Sequence, residues 1–341
     1  MTRRLATAAL AMLALSASGA WASGPFDEPT DEAETGTFSI TLENDIFADT
    51  DQDYTNGVRF SYITPKNDLN LAGRWARDQI EPLIGQADWY MIYALGQNMF
   101  TPSDIEDSTP HANERPYAGF LYGSVGVVAD TGRQLHTFAL DVGVVGPASL
   151  AEQSQKLVHE IGNFAKPVGW DLQLENEPAF RLIYEQKRRA LANLVAPLPF
   201  VELQADVLPH ATFSLGTVDT SAAVGLTVRF GEELADDYGP PRVRPAVGGP
   251  GFFSDNGDWV SWYVFAGAEA RAVGRNLFLE GNTFDQIDGV TVHRFVADLQ
   301  AGAAVRLGSV ELAYTHVLRT EEYAAQDGPA EFGSINIRTK F

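Results

Sequence analysis

The chain has no cysteine, few basic residues and, beyond its first 22 residues, no long apolar run. The lack of cysteine excludes a disulfide scaffold, a thiolate metal site and a cysteine nucleophile. With 24 basic against 45 acidic residues, the formal net charge is −21, so the chain offers no basic footprint for nucleic acid. Its 341 residues suit either two ordinary domains or one large β-barrel.

The first residues have the composition of an export signal. Two arginines precede an apolar run from Leu5 to Leu15, and Ala20 and Ala22 supply the small residues of a cleavage site. The alternative is a membrane-spanning helix, for which this run is shorter than the ~20 residues that a bilayer core requires. Cleavage after residue 22 would remove two arginines and no acidic residue, so the mature charge becomes −23. We therefore expect a signal peptide over residues 1–22.

Alternating polarity recurs along the rest of the chain. Representative segments are 38–43, 58–62, 137–144, 180–185 and 294–305. A period of two predicts β-strands, and an exported chain built from them is either a soluble periplasmic protein or a transmembrane barrel. A last alternating strand ends on Phe341, which is typical of outer-membrane barrels, although an edge strand of a periplasmic sandwich would have the same pattern. The pattern favours an all-β fold, a transmembrane antiparallel β-barrel over 37–341 after a periplasmic segment at 23–36.

One segment between strands reads as a helix with a cap. Ser149 followed by Glu152 fits a capping box for a helix that runs to Gly162. Gln155 and His159 lie four residues apart on it and face the same way. Its apolar side would be formed by Leu150, Leu157, Val158 and Ile161. A second helix is possible within 65–86, and the segment 231–258, rich in proline and glycine, is predicted to be a loop.

The strand count predicts where polar residues meet. A barrel that starts in the periplasm brings the end of its first strand, the start of its second and the Ser149 helix to the outer rim. Asn44, Asp45, Thr55, Gln155 and His159 would then converge at the level of the outer leaflet. A neutral imidazole can take a proton from water, and carboxylate, amide and hydroxyl oxygens can hold Ca²⁺, so this set suits ester hydrolysis. Each residue alone also has an ordinary role, as a solvated rim charge or a space-filling side chain.

Several ordered sequence blocks resemble those of the outer-membrane lipid A 3′-O-deacylase family. They lie at residues 43–47, 53–57, 114–119, 146–147, 155, 159, 169–173, 271–284 and 319–323. The resemblance implies a barrel of about 12 strands whose site lies between the wall and a helix in an extracellular loop. It implies a carboxylic ester hydrolase that removes the 3′-acyloxyacyl chain of lipid A, with calcium forming the oxyanion hole and a histidine activating water.

Residue by residue, the resemblance assigns catalysis to His159, Asn44, Asp45, Thr55 and Gln155 and calcium binding to Asp45 and Thr55. Since a strongly acidic chain repels lipid A phosphates, either a basic patch or a divalent cation must bring the two together. The candidates for the patch are Arg115 and the run 187–189, with Arg115 expected to bind substrate.

The chain departs from the family pattern in three places. Glu114 stands where aspartate is usual, Gln52 stands where arginine is frequent, and no acidic residue after His159 matches a further active-site position. The alternatives are a non-enzymatic outer-membrane barrel, either porin-like or structural, and an esterase that acts on phospholipid. No G-x-S-x-G motif is present, which makes a nucleophilic serine the weaker mechanism.

Overall fold

The structure, a computed structural model, describes residues 35–45, 53–107, 113–189, 194–198, 201–232, 234, 238–239, 259–284 and 289–341. At 53–55, 194–198 and 201–202 only the backbone is described. The predicted signal peptide, most of the predicted periplasmic segment and most of the predicted loop at 231–258 lie outside these residues, so they remain predictions.

The described strands form one antiparallel sheet that closes on itself. They are β1 (Thr37–Asn44), β2 (Asp53–Ile63), β3 (Asp88–Thr101), β4 (Ala118–Asp130), β5 (Gln134–Val145), β6 (Glu177–Arg188), β7 (Leu194–Leu198), β8 (Val201–Gly216), β9 (Asp219–Gly231), β10 (Val260–Asn276), β11 (Phe295–Leu307), β12 (Val310–Arg319) and β13 (Ala330–Lys340). Neighbours in sequence pair with each other except β6 and β7, β1 pairs with β13, and β6 pairs with β8. The short β7 pairs with the start of β8. The remaining 12 strands form the closed antiparallel barrel that the sequence predicted.

The two ends of the barrel differ in what they carry. At one end, here called the Phe341 end, Phe341 and Gly36 exchange backbone hydrogen bonds of 3.2 Å. The opposite end, here called the far end, holds the connections that follow β1, β3, β5, β8, β10 and β12. The segment between β5 and β6, which contains the Ser149 helix, is therefore at the far end.

The period of two separates an apolar outer face from a polar interior. On β1, Phe38, Ile40 and Leu42 face outward, whereas Thr37, Ser39, Thr41 and Glu43 are buried inside. Exposed outer side chains on other strands include Phe60, Leu95, Val142, Leu182, Leu215 and Leu299. Apolar side chains outside and polar ones inside are the pattern of a transmembrane barrel.

Buried ion pairs fill the described interior. Arg181 bonds to Asp141 at 2.7 Å, Arg229 to Asp206 at 2.6 Å and Arg319 to Asp298 at 2.8 Å. Arg338 pairs with Glu311 in the same way. Since a buried charge is costly unless it is paired, these contacts hold neighbouring strands in register across the interior. Ion pairs thus link neighbouring strands across the described part of the interior.

In the part of the chain that the structure describes, three α-helices accompany the strands: α1 (Leu71–Ile84), α2 (Ala151–Gly162) and the one-turn α3 (Leu277–Glu280). Helix α1 lies within the predicted region 65–86, at the Phe341 end. Among the described residues, no helix combines the length and the apolar character needed to cross a bilayer.

The far end of the interior is closed by aromatic side chains. Helix α3 carries Phe278, which stacks on Phe100 of β3 with ring centroids 4.3 Å apart and also meets Phe120 of β4. Leu277 and Phe332 complete this buried cluster. The chain after β10 therefore folds back into the barrel mouth.

Candidate functional site

Helix α2 packs against the outer face of the barrel wall at the far end. A Cβ added to Gly119 of β4 would lie 2.1 Å from Ser149 Oγ and 2.3 Å from Ala151 Cβ, so only glycine permits this approach. Met99 of β3, Tyr117, Ala151 and Trp170 form one buried cluster beneath the helix. The Gln97 side-chain amide donates a 2.6 Å hydrogen bond to the Ser149 carbonyl. The helix is thus fixed to β3 and β4.

The start of α2 differs from the predicted capping box. Ser149 belongs to a 3₁₀ turn, Pro147–Ser149, and the N-cap residue is Leu150, which has a left-handed φ of 60° and no side-chain cap bond. Glu152 instead pairs with Lys156 at 2.5 Å. The capping-box prediction is wrong because Ser149 is buried against Gly119 and its carbonyl bonds to Gln97, which holds it outside the helix.

The polarity of α2 is opposite to that of a helix in a soluble protein. Its buried residues are Ala151, Gln155 and His159, which confirms that the last two share a face. The predicted apolar side points away from the barrel, and its members are at least 40% exposed: Leu150, Leu157, Val158 and Ile161. The polar face is therefore enclosed against the wall, while the apolar face looks outward.

Gln155 is held in one orientation by a tryptophan. The Trp170 indole N–H donates a 2.7 Å hydrogen bond to Gln155 Oε1, and both side chains are buried. Because the indole can only donate, the amide oxygen must face Trp170 and the amide nitrogen must face away. Among the described residues, that Nε2 is buried without a hydrogen-bond partner. It is therefore an oriented hydrogen-bond donor in the site between helix α2 and the barrel wall.

His159 is fixed in one tautomer by the chain that follows the helix. Its Nδ1 lies 2.5 Å from the Ala165 carbonyl oxygen, and Phe164 packs edge-on against the ring with centroids 5.7 Å apart. Since a carbonyl only accepts, Nδ1 carries the proton of the neutral ring, and the basic lone pair is on Nε2. An oriented neutral imidazole is the form that a general base requires.

The strand register brings Asn44 to the same outer surface. Asn44 pairs with Asn56, Asn56 with Met99, and Met99 with Gly119. Residues directly opposite each other on antiparallel strands project to one face, and strands lie ~4.8 Å apart, so Asn44 is about 10 Å from Met99.

Asp45 follows Asn44 and is fully buried, whereas the side chain of Thr55 lies outside the described residues. The structure thus places Asn44, Gln155 and His159 on the same outer face at the far end, with Asp45 at the end of β1.

The described residues supply part of a calcium site. Asn44 and Asp45 offer carboxylate and amide oxygens, the donors that Ca²⁺ prefers, but this ion takes 6–8 of them. Among the side chains that the structure describes, no group of three or more histidine or acidic residues is placed to hold a metal ion. The donor chemistry of these two residues fits calcium, and they supply only part of its coordination.

The two candidates for a basic patch, Arg115 and the run 187–189, lie away from the site between α2 and the barrel wall. Arg115 is 1% exposed, and its guanidinium lies over the Phe100 ring at 5.1 Å, in the aromatic cluster that closes the interior. This burial does not support its predicted role in substrate binding, which stays a prediction. The run 187–189 ends β6 at the Phe341 end, where Arg189 lies over Tyr238 at 4.4 Å, so it is at the opposite end from α2.

Two residues that the sequence did not assign to the site support it. Trp170 orients Gln155, and Tyr117 packs on Trp170 with ring centroids 4.9 Å apart. Trp170 is 15 residues from Gln155 and lies outside its helix, so helical spacing does not predict their contact. The only sequence signal for Trp170 is that it belongs to the block at 169–173 that resembles the deacylase family. The Ala165 carbonyl, a backbone group, has no sequence signal at all.

Fold and site together define a class of protein, an outer-membrane β-barrel with a buried polar site between its outer wall and a helix. The sequence profile of the family described as "Outer membrane protein LpxR" matches residues 5–341, and the chain belongs to this family. The resemblance identified from the sequence blocks is thereby confirmed.

The solved structure of LpxR from Salmonella typhimurium is similar, with a TM-score of 0.70 at 19% identity over 89% of this chain and 99% of that chain. The β domain of the Bordetella autotransporter BrkA matches at a TM-score of 0.34 and 12% identity over 89% of this chain and 97% of that chain, which supports no conclusion. No curated protein sequence matches significantly.

Proposed function

We propose that this protein is a lipid A deacylase of the outer membrane, a Ca²⁺-dependent hydrolase that cleaves the ester-linked 3′-acyl or acyloxyacyl chain with a water activated by His159. The family membership and the sequence blocks that resemble lipid A 3′-O-deacylases support the reaction class. The proposal places the far end of the barrel toward the outer leaflet, where lipid A is found.

The observation that carries the proposal is the polarity of α2. An enclosed polar face with Gln155 and His159, beneath a helix whose other side is apolar and exposed, sits at the boundary between barrel wall and lipid. A lipid whose headgroup enters this site can keep its acyl chains in the bilayer. The ester bond, which joins the polar and apolar parts of the molecule, then lies at the level of the polar face.

The proposed chemistry follows from the orientation of the two side chains. His159 Nε2 takes a proton from water, and the water oxygen bonds to the ester carbonyl carbon. The imidazolium then gives the proton to the leaving sugar oxygen as the C–O bond breaks, releasing a fatty acid and a hydroxyl group. The Gln155 amide N–H, directed by Trp170, positions the water or the ester oxygen. Asn44 lines the same surface.

Asp45 and Thr55 would hold the cation, with Asp45 as the strongest oxygen ligand. When bound, Ca²⁺ would supply positive charge for the oxyanion and for the lipid A phosphates, which a chain of net charge −21 otherwise repels.

The interior argues against the porin-like alternative. A channel needs a charged ring around an open passage, whereas several charges of the described interior are buried in ion pairs, and aromatic rings close the far end. A phospholipid esterase stays the second candidate, because an ester near the membrane surface is common to both lipids.

The test is mass spectrometry of lipid A and phospholipids from cells with and without the protein, with calcium present or chelated. The proposal expects lipid A lighter by one acyl or acyloxyacyl chain, only with calcium and only when His159 is intact. Lysophospholipid with unchanged lipid A would establish the phospholipid esterase instead. Unchanged lipids in cells that contain the folded barrel would favour the non-enzymatic alternative.

A further inference from the structure

Helix α1 has three faces, and the barrel wall covers one of them. Gly73 is buried, and Ala76, Ile80 and Ile84 pack with it on the outer wall against Trp89, Met91, Val127 and Ala129. A Cβ on Gly73 would lie 2.4 Å from Met91 Sδ, so the contact is close. At 3.6 residues per turn these positions form a single stripe. The other two faces do not contact this cluster.

The second face is apolar and exposed. Leu71 is 81% exposed, Trp75 68% and Leu83 84%, Ala72 and Pro82 are exposed beside them, and Gln79 is the one polar side chain on this face. The third face carries Arg74, Arg77, Asp78 and Glu81, of which Arg77 and Asp78 form a 3.0 Å ion pair. Two cations and two anions leave that face neutral. Large apolar side chains this exposed, on one face of a helix, mark a surface that the membrane or another molecule covers.

The position of α1 identifies what covers the apolar face. The helix lies on the outer surface of β3 and β4 near the Phe341 end, and its N-cap residue Asn70 donates a 3.0 Å hydrogen bond to the Tyr93 hydroxyl. Tyr93 is itself an exposed outward residue of β3, next in the outward row to Leu95. The apolar face of α1 is therefore continuous with the outer face of the barrel, which lipid surrounds.

We propose that α1 is an interfacial membrane helix, inserted into the phospholipid leaflet at the Phe341 end. Its Leu71–Trp75–Leu83 face contacts acyl chains, and its neutral charged face lies among the headgroups. A helix with separate apolar and charged faces lies in the plane of the interface and buries the apolar face ~5–10 Å deep. The neutral charge balance fits a zwitterionic headgroup better than an anionic one. The inference depends on the barrel and is independent of the catalytic proposal.

Spin-label accessibility tests this directly, because the natural chain has no cysteine and each label site is unique. Single-cysteine variants L71C, W75C and L83C would be compared with D78C and R74C, the matched controls on the charged face. The full chain would be labelled in phosphatidylethanolamine–phosphatidylcholine vesicles. Accessibility to oxygen, which concentrates in lipid, would be compared with accessibility to a water-soluble nickel complex.

The proposal expects oxygen to exceed nickel at positions 71, 75 and 83, and the reverse at 74 and 78. Equal exposure of all five labels to nickel would overturn it, because α1 would then lie in water. Labels at 71, 75 and 83 shielded from both reagents would also overturn it, because a second copy or another protein would then cover the face. A heat-modifiability gel for each variant ensures that only folded barrels are compared.

Discussion

Replacing His159 by asparagine isolates its role as a base. Both side chains carry a nitrogen on Cγ, so the asparagine amide can take the place of Nδ1–H and keep the hydrogen bond to the Ala165 carbonyl. What disappears is Nε2, the atom with the basic lone pair. A missing general base costs ~10²–10⁴-fold in rate, which is about 2.7–5.4 kcal/mol of activation free energy. H159N should therefore lose at least two orders of magnitude of activity and keep its stability.

Glutamine at the same position makes the opposite change. Its amide reaches the place of Nε2 but leaves the Ala165 carbonyl without its donor, which costs about 0.5–1.5 kcal/mol. H159Q should be inactive and slightly less stable, whereas H159N should be inactive and as stable as the natural protein. The temperature at which the folded band disappears from a semi-native gel measures the difference.

The assay is the initial rate of fatty-acid release from lipid A in vesicles with calcium. His316 is the matched control, a histidine on the outer face at the far end, 3.5 Å from Glu331 and two strands from Asn44. H316N should keep the natural rate. The reasoning is refuted if H159N also turns over at the natural rate while folded, since Nε2 would then have no part in the chemistry.

Three further predictions concern the surroundings of His159. Asp45→Ala should raise the calcium concentration needed for half-maximal activity, measured by titration from chelator, because it removes the strongest oxygen ligand; an unchanged titration would place the ion elsewhere. Trp170→Phe should lower activity by about tenfold without unfolding the barrel, as it removes the bond that orients Gln155 and leaves a buried amide oxygen unpaired, at about 1–3 kcal/mol; activity equal to that of the natural protein would show that Gln155 needs no such support. Gly119→Val should displace α2 and abolish activity while gel mobility stays that of a folded barrel, because the new side chain meets Ser149 and Ala151; an active variant would show that the helix need not contact the wall.

The strands could be predicted because the bilayer imposes a period of two on every one of them. The predicted segment 137–144 falls within β5, and the predicted segment 294–305 lies in β11 except for Arg294. The face shared by Gln155 and His159 could also be predicted, since helical spacing fixes it locally. Both predictions depend only on the periodic spacing of residues that are close together in the sequence.

The misses concern contacts between segments far apart in sequence. Ser149 does not cap α2, because Gly119, 30 residues earlier, draws it against the wall. The burial of Arg115, whose guanidinium lies over Phe100 in the cluster that Phe278 joins, was also not predicted. For a basic residue just before a strand, the sequence does not predict whether the side chain faces the interior or the outer surface of the barrel.

The pairing of β1 with β13 has a consequence for how the chain is assembled. Thr37 meets Lys340, about 300 residues later, so the seam closes between the first and last strands. All other neighbouring strands of the barrel are close in sequence and can pair one after another as hairpins. The seam alone must pay the loop-closure entropy of nearly the whole chain, which slows its formation relative to local pairing. Until β13 is in place, β1 and β12 each leave an open edge, and this half-finished sheet is the species most exposed to aggregation and proteolysis.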